Sequence, residues 1–114
     1  MDINIDKLVA RHVMELHDYS TEDFSPSTNM NHTLLVMNRL KMLGFSVLLR
    51  DCSSEDCGLV KNGEATREDY LCNVSIGSVY TDKIRYKSIA NTAQMAVCLS
   101  ALKAVGVIGV IHND

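Results

Sequence analysis

A chain of 114 residues and 12.6 kDa has room for one ordinary domain, residues 1–114, and not for two. Its 46% hydrophobic and 22% charged residues, with a mean hydropathy of +0.02, exclude a disordered chain and leave enough apolar mass for one core without metal or disulfides. A net charge of −3 and a pI near 5.7 exclude the generally basic composition on which phosphate affinity rests, so nucleic acid is not the expected partner.

The opening Met1-Asp-Ile-Asn-Ile-Asp6 carries acid where a signal peptide needs a basic start, and no stretch approaches the roughly 18 consecutive apolar residues of a membrane span. A cytoplasmic protein is expected. Ile5, Leu8, Val9, His12, Val13 and Leu16 recur at three- and four-residue spacings, which predicts an amphipathic helix over 4–17 with Asp2 or Asn4 as its cap. After a polar stretch, Pro26 holds Ser25 extended and places Ser27 or Thr28 to cap a second helix. Met30, Leu34, Met37 and Leu40 form its expected inner face, and Gly44 suits a left-handed stop.

Phe45, Val47 and Leu49 alternate with Ser46, Leu48 and Arg50, the period of a strand. Residues 52–68 follow neither period and contain the turn signal Asn62-Gly63; a loop this long is either a mobile flap or carries function. A second strand over 69–76 turns Tyr70, Cys72, Val74 and Ile76 one way and Leu71, Asn73 and Ser75 the other. Residues 84–89 read as the returning strand of a hairpin. Asn91 or Thr92 then caps a third helix ending at Gly106, with Ala93, Ala96, Val97, Ala101 and Ala104 as a small-residue stripe that lets it lie close on a sheet. The methionines at 30, 37, 42 and 95 read as core filler. The fold class is therefore α+β: a small, mainly antiparallel sheet of three or four strands packed with three helices in the order α-α-β-β-β-α.

Cys52, Cys57, Cys72 and Cys98 are too few for a disulfide scaffold, and Cys52 and Cys57 have no matching Cys/His pair at zinc spacing. They read as reduced thiols, with no metal and no cofactor expected. His12 on the first helix's apolar face and His17 near its end lack a nucleophile at motif spacing, and neither a nucleophile elbow nor a phosphate-cradling glycine loop is present. The expectation is no enzyme.

Three stretches together carry a family likeness. Lys7-Leu-Val-Ala-Arg-His-Val-Met14, Phe24-Ser-Pro-Ser-Thr28 and Ala90-Asn-Thr-Ala-Gln-Met-Ala-Val-Cys-Leu-Ser-Ala-Leu-Lys-Ala104 resemble, in this order, the opening helix, the cap of the second helix and the last helix of the phage ABA sandwich domain family. The chain departs from that family in having Tyr70 near where a tryptophan often stands, and in a longer, more apolar tail. The resemblance implies a bacteriophage or prophage origin, the bacterial host cytoplasm, no enzymatic activity, and helices over both faces of the sheet.

Strand parity supplies one candidate ligand site. If the apolar set faces the helices, the opposite face shows Ser46, Arg50, Asn73, Ser75, Arg85 and Lys87, with Lys83 at the turn. Such a face either grips an anion or is simply the wet side of an antiparallel sheet. The apolar tail supplies a candidate interface: Val107, Ile108, Val110 and Ile111 either form an edge strand or pack against a partner, a second copy giving a homodimer. Charge also runs in blocks, with no acid between residues 25 and 50 and six acids between 51 and 69. Two functions follow as expectations. One is a non-enzymatic accessory protein that binds a host protein through its loop or tail, blunting a host defence. The other is a sponge that sequesters an anionic nucleotide signal with Arg50, Arg85 and Lys87.

Overall fold

The computed structural model describes residues 4–16, 24–54, 57–77 and 84–107. The first helix, α1, spans Ile5–His12, and Asn4 caps it by accepting from the Lys7 amide at 3.0 Å. It ends earlier than the periodicity predicts. Glu15 takes a left-handed φ of 58°, which no helix continues through, while Arg39 donates to the Val13 carbonyl and pairs with Glu15 at 3.0 Å. His12 is exposed, not packed on the apolar face.

Helix α2 spans Met30–Met42, and its cap is Asn29, one residue beyond the predicted Ser27 or Thr28. The Asn29 side chain accepts from the amides of Asn31 and His32. Ser27 instead donates its amide to Asp6 at 2.8 Å, tying the turn to α1. The buried face of α2 is also rotated from the expected one. Thr33, Val36 and Leu40 are fully covered, whereas Met30 and Leu34 are exposed. Thr33 can be buried because its hydroxyl reaches the Pro26 carbonyl at 2.7 Å and that of Asn29 at 3.0 Å. Gly44 closes the helix at a φ of +96°, as its position predicts.

Strand β1 (Ser46–Asp51), a short helix α3 (Gly58–Lys61), strands β2 (Tyr70–Ile76) and β3 (Ile84–Ala90), and helix α4 (Ala93–Ala104) complete the chain order. The short α3 is the one element absent from the predicted order. The sheet is antiparallel with order β1-β2-β3. Directly paired residues share a face. Val47, Val74 and Tyr86 form one row toward the helices, and Leu49, Cys72 and Ser88 the next. Ile76 and Ile84 share that face but lie half exposed at its far end.

Helix α4, capped by Thr92, packs on β2 and β3, while α2 packs on α4 and β1 and α1 on α4. The alanine stripe holds: Ala93, Ala96, Val97 and Ala101 are buried, joined by Cys98 and Leu102. Ser100 is buried too and donates to the Cys72 carbonyl at 2.7 Å. Ser88, 5% exposed on the same face, has a hydroxyl with no hydrogen-bond partner among the described residues. Removing an unpaired buried hydroxyl removes its desolvation cost, so Ser88→Ala should raise the urea midpoint by the equivalent of about 1 kcal/mol. A fall would mean that the hydroxyl is satisfied.

The loop over 52–68 is structured where it is described, with a helical turn and a small buried cluster, which speaks against the flap of the two expected alternatives. Cys52, Cys57, Ala65 and Leu71 form a second small cluster, flanked by Leu59, Val60 and Ile89. It covers the end of the sheet face opposite the main helices, where Leu71 and Ile89 pair. The turn at Asn62-Gly63 appears as predicted, Gly63 taking a φ of +84°. Among the methionines read as core filler, Met30 is 40% and Met42 77% exposed. Only Met37 and Met95 lie partly inside.

Candidate functional site

Two surfaces could bind something. The first is the uncovered part of the sheet's outer face. Register places Ser46, Ser75 and Arg85 in one row, Leu48, Asn73 and Lys87 in the next, and Arg50, Leu71 and Ile89 in the third. Arg50, Arg85 and Lys87 therefore share a face, as their parity predicts; Lys83 lies outside the described residues. A cleft of about 300 Å³ opens there, lined by Ser46, Val47, Leu48, Asn73, Ser75 and Arg85. The Asn73 Oδ1 atom is shielded from solvent and has no hydrogen-bond partner among the described residues.

The three cations do not act together. Arg50 is exposed in the row whose Leu71 and Ile89 join the loop cluster, away from the cleft, and of the three it is Arg85 alone that lines the cleft. Lys87 is engaged, its Nζ 3.5 Å from Glu64 Oε1, and its carbonyl accepts from Lys103 Nζ at 2.6 Å. What remains is one guanidinium fork, two hydroxyls and an amide. That set can hold a single carboxylate or phosphate group. An exposed charge pair contributes only about 0–1 kcal/mol, so the cleft is a weak anion site by itself.

The second surface is the outer side of α2. Met30 is 40% exposed, Leu34 48%, Leu35 49% and Met42 77%, with Leu43 beside them at the cap. Asn31, Asn38 and Lys41 are interspersed and exposed. An exposed apolar patch on a helix is a surface suited to a partner. Each half-exposed Leu or Met would contribute roughly 1 kcal/mol on burial, so these side chains together outweigh the single arginine of the cleft. Sequence reasoning missed this face because one apolar stripe had been assigned to the core. The visible signal was the unbroken run Leu34-Leu35-Val36-Met37, which no single face of a helix can hold.

The candidate tail interface changes. Val107 is 8% exposed in the chain's own core, its amide donating to the Leu102 carbonyl at 2.9 Å. It closes α4 after Gly106 and cannot serve a partner. Ile108, Val110 and Ile111 lie outside the described residues. No helix among the described residues is long and apolar enough to cross a membrane. Comparison with known proteins adds no relative to this geometry: no family model, no curated protein and no solved structure matches the chain.

Proposed function

We propose that this chain acts by binding rather than by catalysis, as a phage or prophage accessory protein that engages a host protein in the bacterial cytoplasm and thereby blunts a host defence. The observation that carries the binding reading is the exposed apolar outer face of α2, with Leu34, Leu35 and Met42 uncovered. The phage origin rests on the resemblance of residues 7–14, 24–28 and 90–104 to the phage family named above. A partner suited to this face presents an apolar surface with an acidic group able to meet Lys41, which stands exposed among these side chains.

A second reading is favoured by the Asn73 and Arg85 groups in the sheet-face cleft: sequestration of an anionic nucleotide. One set of variants separates the two. Immobilised wild-type protein should retain a specific host protein from lysate, Leu35→Glu with Met42→Glu should lose it, and Arg85→Ala should keep it. Thermal stabilisation by nucleotides that disappears in Arg85→Ala and weakens with salt would instead support the sponge. A homodimer in light scattering that Leu35→Glu dissociates would make a second copy the occupant of α2. Retention by the double variant equal to wild type overturns the proposal.

A further inference from the structure

Cys52 and Cys57 stand only four residues apart, and folding brings them together. Cys52 follows β1 directly and extends its pairing, its amide donating to the Asp69 carbonyl at 3.0 Å. Cys57 is the residue from which α3 starts. Both side chains are shut off from solvent, at 0% and 1% exposure, and both belong to the small cluster with Ala65 and Leu71. Packed in one cluster, the two thiols are near enough to shift each other's proton affinity.

Their surroundings differ. The backbone amides of Val60 and Leu59 face the Cys57 sulfur, and with the Cys52 thiol and the Arg50 charge they hold Cys57 below the ordinary thiol range despite its burial. No such amides face Cys52 among the described residues; burial, the neighbouring Cys57 and the Asp69 charge push it up, against Arg50. The pair therefore has a nucleophilic partner and a resolving one. Cys72 and Cys98 contrast with it, being buried in the main core with their thiols pushed up.

We infer that Cys52 and Cys57 form a reversible dithiol–disulfide pair, oxidised by a small disulfide such as oxidised glutathione, which fastens the α3 segment to the end of β1. The step balances as ordinary thiol–disulfide exchange. The Cys57 thiolate attacks one sulfur of the small disulfide and expels the other as a thiolate. The Cys52 thiol gives up its proton to that leaving group and attacks the Cys57 sulfur of the mixed disulfide, expelling the second small thiol. Two protein thiols lose two electrons and two protons, and one small disulfide becomes two thiols. Because both sulfurs are covered, the oxidant enters only when α3 opens. α3 is a single helical turn, and local opening of such a segment is less costly than global unfolding. This inference does not depend on the α2 reading of function.

The test uses the wild-type protein as it folds. It is equilibrated in glutathione buffers of increasing oxidation, quenched by alkylation and mapped by peptide mass spectrometry. The expected result is one intramolecular Cys52–Cys57 disulfide, reversed by dithiothreitol, with Cys72 and Cys98 remaining thiols. In native protein under reducing conditions, Cys57 should also alkylate at lower pH than the other three. Cys52→Ser should stop at a mixed disulfide between Cys57 and glutathione; a Cys52→Ser protein that does not fold leaves the wild-type map to decide. Cys52 and Cys57 recovered as free thiols at every buffer ratio, or a disulfide to Cys72 or Cys98, overturns the inference.

Discussion

Leu102→Ala should destabilise the protein by about 2–5 kcal/mol and lower its thermal midpoint by on the order of 10 °C or more. Leu102 is fully buried on α4 and among the largest such side chains in the molecule. It belongs to the main cluster, whose buried members are mostly alanine, valine and cysteine, side chains too short to fill the space a leucine leaves. The main-chain bond from Val107 to Leu102 fixes the end of the helix and limits collapse further. Leu48→Ala is the matched control. Leu48 is 57% exposed on the outer sheet face, where surface substitutions usually change stability by no more than about 0.5 kcal/mol. Urea unfolding should show a lower midpoint at unchanged slope for Leu102→Ala, and a near wild-type curve for Leu48→Ala. Comparable losses for the two variants would mean that α4 is not seated as described.

Alkaline solution should weaken the fold through its core thiols. Burial pushes Cys72 up to about 11 from the ordinary 9.0, the contact with Ser100 opposing part of the shift. Burial also pushes Cys98 up, with the nearby Asp6 and Cys72 charges adding. The folded state therefore keeps protons that the unfolded chain releases. The associated stability is fully present below pH 9 and is lost as the pH climbs to 11 and beyond. At about 1.4 kcal/mol per unit, Cys72 alone accounts for a loss of about 3 kcal/mol across that window. Urea midpoints measured between pH 7 and pH 10.5 should fall with rising slope above pH 9. Cys98→Ala, which removes one of the two protons at issue, should flatten the fall. An unchanged pH profile in that variant would show that other groups set it.

Strand parity was legible because alternation is a local rule: Val47, Leu49, Cys72, Val74 and Tyr86 face the helices as their spacing requires. The stops at Gly44 and Gly106 were legible for the same reason, since each needs only a left-handed residue after the last turn. The face of α2 was not. Met37 and Leu40 belong to two overlapping stripes, one through Met30 and Leu34, the other through Thr33 and Val36. The choice fell to the Pro26 and Asn29 carbonyls that satisfy Thr33, one of them seven residues away. The loop was missed because its cluster is completed from outside, by Leu71 and Ile89 on the sheet. Of the candidate anion site, the shared face of Arg50, Arg85 and Lys87 could be read from sequence. The engagement of Lys87 by Glu64 could not, because it joins residues far apart in the chain.

The central place of α4 also has a consequence for synthesis on the ribosome. The sheet's greasy side is complete once Ala90 has been made, yet the helix that shields it is encoded afterwards. Until Leu102 emerges, the nascent polypeptide displays Val74 and Tyr86 of β2 and β3 without the helix that packs on them, a surface suited to chaperone capture or to self-association. Fragments arrested before Ala93 should therefore precipitate or be degraded, whereas chains extended past Val107 escape that hazard.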